Sequence, residues 1–445
     1  MSNFFASTIY KLWDTKEGSV RLNEMKSLKR LQYETPEKLA EYQFDRLTQL
    51  LAHAEKNSPW YKQAFTDSGL KSSDIKSVAD LSQLPITKKA DIRNNADAFI
   101  SSTHNKDELV IAKTGGSTGV SLNLYFDEHC QKLRNGAQGY ADNLAGWLPG
   151  DKIGALWGNP PVAKTFKQKL RSALLERTKY LDTMDLNPSS MGEFVETWKT
   201  FAPDVIFGHA HSIYIFAKYV TENNISLSSP KGVVATSMML LDHERAVIEK
   251  AMGVKVTNRY GCEEVGLIAC ECEEHQGMHI NTPHIILECV DDEGKTVLPG
   301  QSGKLVVTDL NNYAMPLIRY QIEDVGVLSD KPCSCGRTLP ILEKLEGRVA
   351  DFLKKADGGL VGGVSLVERT LTLIPGIEQM QLVQKSIDQL IVNRVKGHEF
   401  DKDTDALLSK ELQIVFGDTV TIQINDIEKM PQEASGKYRF SICEA

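Results

Sequence analysis

Between residues 36 and 61, Leu39, Phe44, Leu47, Leu50 and Leu51 return at roughly helical steps, with polar residues filling most of the gaps. That spacing predicts an amphipathic helix. In the later stretch Leu-Pro-Ile-Thr-Lys-Lys, Thr87 is placed to cap a short helix. From about Leu109 the pattern changes to short apolar runs alternating with helical segments. Strands are expected at 152–157, 205–207, 233–236 and 255–260, and helices at 162–175, 212–221 and 242–252. Such alternation predicts a largely parallel sheet covered on both faces. Between 285 and 328 the runs shorten and are punctuated by glycine turns, as in an antiparallel unit. Beyond Gly347-Arg348 come apolar runs at 377–384, 389–395 and 420–427 and a helix at 403–415, a compact α+β unit. The expected fold class is therefore α/β. It has a large N-terminal domain (1–346) of mainly parallel sheets flanked by helices, a small β-rich subdomain within it, and a small α+β C-terminal domain (347–445).

Composition narrows the partners. A chain of 445 residues suits a large domain plus a smaller one. The net charge of −8 is spread out, with no basic run for nucleic acid or a membrane surface. The first twenty residues mix Trp13, Asp14, Lys16 and Glu17 with apolar residues, unlike a signal peptide, and no apolar run would span a bilayer. A cytoplasmic protein is expected, so its eight cysteines are not read as disulfides.

Five stretches carry candidate chemistry: Lys113-Thr-Gly-Gly-Ser-Thr-Gly119, Arg259-Tyr-Gly-Cys-Glu-Glu264, Arg319-Tyr-Gln-Ile-Glu-Asp324, Gly347-Arg348 and Ser435-Gly-Lys-Tyr-Arg439. In the first, glycines let backbone amides approach an anion while Thr114, Ser117 and Thr118 add hydroxyl donors. A flexible hairpin turn is the plainer reading. The second stretch ends an apolar strand, where parallel sheets place ligands. An ordinary acidic turn is its plainer reading. Asp324 is a pure acceptor able to take two hydroxyl donors; a salt-bridged surface strand competes. Cys272, His279, Cys333 and Cys335 offer a Cys₃His zinc set, with Cys270 or His275 able to replace a member. Unrelated buried thiols are the alternative.

Taken in this order, the stretches resemble the signature set of the adenylate-forming ligases, most closely the phenylacetate–CoA ligase and CapK-like branch. The resemblance spans nearly the whole chain. It implies a mobile C-terminal domain and a reaction in which a carboxylate attacks the α-phosphate of ATP and a second nucleophile displaces AMP. By resemblance Thr114, Gly115, Gly116, Ser117, Thr118 and Gly119 hold phosphates. Tyr260 and Gly261 face adenine, Ser237 lies at the adenine edge, Asp324 grips the ribose, and Arg348 and Arg319 support the nucleotide. Glu264 binds Mg²⁺, Lys437 is the adenylation lysine, and His209, Tyr214 and Met238 line the acid pocket. The pattern Cys272, His279, Cys333, Cys335 matches a structural zinc site of that branch. The expected partners are a small carboxylic acid and coenzyme A, or else a carrier-protein thiol, with a homodimer by analogy. Three departures stand out: Ser121 in place of a proline, Glu263 in place of Ser/Thr, and Ala350 in place of the first hinge aspartate. An amide-forming ligase, a catalytically altered nucleotide-binding homologue and a zinc-stabilised interaction protein remain the alternatives.

Overall fold

A computed structural model describes residues 3–113, 122–158, 165–183, 186–348, 352–356, 360–374, 376–397, 399–431 and 439–445. The chain opens with helices. Pro36–Asn57 starts where Thr35 accepts a hydrogen bond from the Lys38 amide (3.4 Å) and Pro36 occupies the first turn. The single helix expected over 36–61 is two, because Ser58 takes an extended conformation before Pro59 opens the helix Pro59–Ser68. A residue preceding proline is pushed out of the helical region.

Thr87 does not cap a helix. Its amide and hydroxyl reach Arg319 and Ile318 carbonyls (2.9 and 3.1 Å), tying the linker to the sheet. The helix Lys89–Phe99 is capped instead by Asp91, which accepts from the Lys88 amide at 2.8 Å. In the expected 162–175 helix, the described residues form a short helix, Phe166–Arg171, followed by one wider turn to Glu176.

The framework is one eleven-stranded mixed sheet. From one edge its strands run Ile285–Val290, Ser302–Asp309, Tyr320–Ser329, Ile341–Arg348, Met278–Ile280, Gly266–Glu271, Val256–Cys262, Gly232–Thr236, Val205–His209, Ile153–Trp157 and Thr178–Asp182. The last five pair in parallel. From Val256–Cys262 toward the other edge every pairing is antiparallel. The β-rich part expected over 285–328 is thus continuous with the parallel part through the 266–280 strands.

Each face of the parallel half buries apolar side chains against helices. Leu156, Ile206, Val233 and Val256 pack under helices Pro188–Phe201, Ala210–Glu222 and Asp242–Met252. Val205 and Val234 pack on the opposite face, beneath helices Arg21–Leu31 and Glu128–Leu144.

The strand Ile341–Arg348 is the last of the large sheet, and Asp324 lies opposite Arg348 on its final rung. The C-terminal unit has its own sheet, ordered Thr421–Asp426, Gln389–Lys396, Ile377–Ser386, Ser441–Cys443, with helices Gly363–Leu373 and Thr404–Phe416. Its core also receives Met238, Met239 and Leu241 from the loop after strand Gly232–Thr236. Lys218 meets Glu378 across the same boundary at 2.7 Å. Among the described residues no helix is long and apolar enough to cross a membrane.

Candidate active site and metal centre

The strand Val256–Cys262 delivers the central motif. Its pairing with Gly266–Glu271 slips between Tyr260 and Gly261. A Cβ at position 261 would come within 2.5 Å of the Gly266 carbonyl oxygen, so only glycine fits the bulge. Beyond the bulge the chain turns and exposes Glu263 while Glu264 stays half-buried. The Tyr260 hydroxyl donates to the Asp324 carboxylate at 2.5 Å. Tyr320, from the neighbouring strand Tyr320–Ser329, directs its hydroxyl toward Glu264 at 3.5 Å. Burial, reinforced by the Glu264 charge, pushes the Tyr320 hydroxyl far above its ordinary range, so it remains a donor. Tyr260, Asp324, Tyr320 and Glu264 therefore form one cluster at the end of the last parallel strand.

The turn carrying Glu264 is fixed from behind by Arg134 of helix Glu128–Leu144. This guanidinium donates to the Glu263 and Glu264 carbonyls (3.4 and 2.7 Å) and pairs with fully buried Asp309 at 2.7 Å. It also lies over the Phe126 ring, 4.5 Å from its centroid. A planar fork of this kind aims separate donors at two carbonyls and a carboxylate in fixed directions, which the compact ammonium of a lysine does not.

Ser237 follows the adjacent strand Gly232–Thr236 with φ of 64°, a left-handed conformation rare outside glycine. Arg319, just before the Asp324 strand, and Glu323, within it, also have positive φ, 48° and 63°.

A second cluster lies where the Gly266–Glu271 strand leaves the sheet. One ligand atom from each of Cys272, His279, Cys333 and Cys335 lies within 4.8 Å of the others. Cys272 Sγ is 3.7 Å from Cys333 Sγ, and Cys335 Sγ is 3.3 Å from His279 Nε2. His279 Nδ1 is 3.2 Å from the Leu339 carbonyl, which fixes Nδ1 as the protonated nitrogen and leaves Nε2 to face the thiols. Burial raises the Cys335 thiol, but the Arg337 amide and side chain and the neighbouring thiols outweigh it and leave the pKa lowered. Three thiols and one imidazole with its second nitrogen anchored fit a closed tetrahedral Zn²⁺ site. Cys270 is turned away, 3.9 Å from the Ala141 carbonyl, and His275 Nδ1 bonds Glu271 at 3.1 Å. Neither joins the set.

Residues 353–444 match the family described as the CapK C-terminal domain. Over 412 residues the chain is 28% identical to Protein CapK of Staphylococcus aureus, covering 91% of this chain and 89% of that protein. The chain is a relative of CapK. It is also 27% identical over 352 residues to phenylacetate-coenzyme A ligase of Thermus thermophilus, covering 77% of each. The crystal structure of 2-hydroxyisobutyryl-CoA ligase with 2-HIB-AMP superposes with a TM-score of 0.76 at 19% identity, covering 93% and 91% of the two chains. The fold is that of the adenylate-forming ligases.

Within this CapK-related chain, Tyr260, Gly261, Glu264 and Asp324 gather at one strand end, with Ser237 at the end of the strand beside it. Thr114 to Gly119 and Lys437 lie outside the described residues, as does the side chain of Arg348. Arg319 faces the scaffold: it pairs with Glu288 at 3.0 Å and donates to the Leu84, Ser82 and Gly294 carbonyls (2.6, 3.2 and 3.3 Å). Buried His209 packs at a tilt against Trp157, ring centroids 4.2 Å apart. Tyr214 packs beside His211 and His243, and Met238 lies against the C-terminal core. Sequence reasoning missed Arg134 and Tyr320. Tyr320 was legible as the aromatic beside Arg319 in a quoted motif, whereas Arg134 sits in a helix with no signal of its own.

Proposed function

We propose that this chain is an ATP-dependent, AMP-forming ligase that joins a carboxylic acid to coenzyme A. The observation that carries the reading is the convergence of Tyr260, Asp324 and Glu264 at one strand end, in a chain related along most of its length to CapK and phenylacetate-coenzyme A ligase. The carboxylate oxygen forms a bond to the α-phosphorus, pyrophosphate leaves with the bond's electrons, and an acyl-adenylate results. The thiol of coenzyme A then attacks the acyl carbon, and AMP departs.

Each residue answers a physical demand of that sequence. Asp324 accepts the ribose hydroxyls, and the Tyr260 ring stacks on adenine with its hydroxyl anchored on Asp324. Glu264 holds Mg²⁺, which offsets phosphate charge when bound. The loop 114–119 cradles the phosphates. Lys437 is assigned the adenylation step, because an ammonium between carboxylate and α-phosphate offsets their repulsion. The small domain is assigned to pivot at Gly347–Arg348. Zinc at Cys272, His279, Cys333 and Cys335 is assigned a structural role, since four protein ligands leave no open position.

Pyrophosphate release across a panel of carboxylic acids, followed by coenzyme A-dependent thioester formation, tests the reading. Lys437→Ala is expected to bind ATP normally while losing acyl-adenylate formation by roughly a thousandfold. Unimpaired adenylation by that variant would remove the lysine from the mechanism, and no pyrophosphate release with any acid would remove the ligase.

A further inference from the structure

Asp324, assigned above to the ribose, lies in an irregular stretch of its strand. Gln321 pairs with Val306 and Val325 with Lys304, so Ile322, Glu323 and Asp324 stand against the single residue Leu305. Extra residues in one strand interrupt the regular alternation and re-aim side chains. The middle residue of the three, Glu323, takes φ of 63°. Glycine accepts that angle freely, whereas a residue with a Cβ adopts it at a cost.

The Glu323 carboxylate pairs with the Lys89 ammonium at 3.6 Å. Among the described residues each is the other's only ion-pair partner. Lys89 opens helix Lys89–Phe99, and its side chain is 11% exposed against 37% for Glu323. An ion pair open to water on both sides contributes little. Here one member is shielded, so removing the carboxylate leaves a mostly buried cation unpaired.

The chain leading to Lys89 is fastened to the same strand. Thr87 pairs in parallel with Tyr320: its amide donates to the Arg319 carbonyl at 2.9 Å, and its carbonyl accepts from the Gln321 amide at 3.0 Å. Helix Lys89–Phe99 then packs against strand Tyr320–Ser329 and against Asn123–Phe126. The linker thus holds the strand at Tyr320 and again at Glu323, directly before Asp324. Burial raises the Tyr320 hydroxyl, with Glu264, Cys262 and Glu323 adding to it, so the Glu323 charge is felt inside the cluster.

We propose that Glu323, held by Lys89, is a positioning residue that aims Asp324 at the ribose hydroxyls of the nucleotide. The inference rests on the nucleotide reading of this site. The backbone torsion at position 323 sets the direction in which the chain enters position 324. The ion pair keeps that torsion from relaxing to an ordinary strand angle. A carboxylate that takes two ribose donors while bonded to the Tyr260 hydroxyl tolerates little rotation.

Calorimetric titration of the full chain with Mg·ATP and with Mg·dideoxy-ATP, which lacks both ribose hydroxyls, separates the ribose contact from the phosphate contacts. The wild-type chain is expected to prefer ATP about tenfold or more. Glu323→Gly suits the backbone angle and removes the anchor. It is expected to shrink that preference several-fold through weaker ATP binding, with dideoxy-ATP binding unchanged. Glu323→Gln keeps the side-chain length and removes the charge, and preserves the test should Glu323→Gly fold poorly. Lys89→Gln is expected to shrink the preference to a similar degree, and the two Gln substitutions together little further, as for partners in one interaction. An ATP preference unmoved in Glu323→Gly and Glu323→Gln overturns the proposal and leaves the ligase reading intact. Equal losses for both nucleotides reassign the pair to the phosphates and overturn it as well, and additive losses in the double variant overturn the pairing. A wild-type chain that binds ATP no better than dideoxy-ATP overturns the proposal together with the Asp324 assignment. Binding of neither nucleotide overturns both the proposal and the ligase reading.

Discussion

Arg134 joins three parts of the molecule through one guanidinium: helix Glu128–Leu144, the turn bearing Glu264, and fully buried Asp309. Arg134→Ala would leave the Asp309 charge uncompensated in the interior, which is expected to lower unfolding stability by about 3–5 kcal/mol in a denaturant titration. Arg134→Lys keeps the charge but loses the fork to the carbonyls. Its stability should fall less, while its Mg²⁺ requirement for adenylation rises as the Glu264 turn loosens. A Lys variant with unaltered Mg²⁺ dependence would confine Arg134 to a structural role. A second residue-scale prediction concerns Glu24 and His284, 2.8 Å apart. Burial alone would raise the Glu24 carboxyl, but the hydrogen bond and charge of His284, with Arg46 and His129 nearby, hold it below its ordinary 4.5. Because the folded pKa lies below the unfolded one, unfolding takes up a proton. This stabilisation is present above about pH 4.5 and is lost as pH falls through the folded value. Glu24→Gln should flatten that acid limb of the stability profile, and an unchanged slope would assign it to other carboxylates. At this scale the sequence singled out Tyr260, Glu264 and Asp324, which the fold brings together, because they sit in short contiguous motifs. Arg134 and Glu24 stayed hidden because their partners lie more than a hundred residues away. Arg319 was misread for the same reason: its motif sits beside the nucleotide cluster while its side chain serves the linker at 82–84.

Elements were legible where periodicity and caps agreed. The helix Asp242–Met252 falls where its apolar spacing predicts, with Gly253 closing it at φ of 72°. The strand Val205–His209 was foreseen from its apolar run, which extends through Gly208. Legibility failed at junctions. Pro59 begins a helix instead of interrupting one, and Thr87 spends its hydroxyl on the Ile318 carbonyl, because tertiary pairing outweighs local capping. The four-residue metal set joins three such junctions: the turn after strand Gly266–Glu271, strand Met278–Ile280, and the loop before Ile341–Arg348. Freshly purified protein is expected to hold about one equivalent of zinc. Chelation should lower the melting temperature by several degrees, since binding free energy in a preformed site adds to folding free energy. Cys335→Ser should lose the metal while nucleotide affinity stays within a few-fold. Metal-free protein with an unaltered melting temperature would return the cysteines to the ordinary core.

For the whole molecule, the boundary between large and small units is narrow and mixed in character. Met238, Met239 and Leu241 give it an apolar seam, and the Lys218–Glu378 pair sits at its rim with both side chains about a quarter exposed. A rim pair of this kind contributes about 1 kcal/mol or less. Lys218→Glu places like charges in contact and should shift the small domain away from this docked position, read as a larger radius of gyration by X-ray scattering, with the melting of the large domain unchanged. An identical scattering profile would mean that the apolar seam alone holds the arrangement. The separate C-terminal sheet and its helices were readable because that segment carries a complete α+β pattern of its own. The docking of the two units was not, because Met238 was read as lining the acid pocket and Met239 carried no signal, whereas both pack against the C-terminal core.

The last rung of the large sheet sets Asp324 opposite Arg348. The assigned sugar grip and the assigned pivot are thus two ends of a single crossbar. Torque from a swinging small domain would arrive at the ribose clamp before reaching any other part of the nucleotide site. A lid that turns at Arg348, as proposed, would therefore be felt at Asp324 through a single backbone pair.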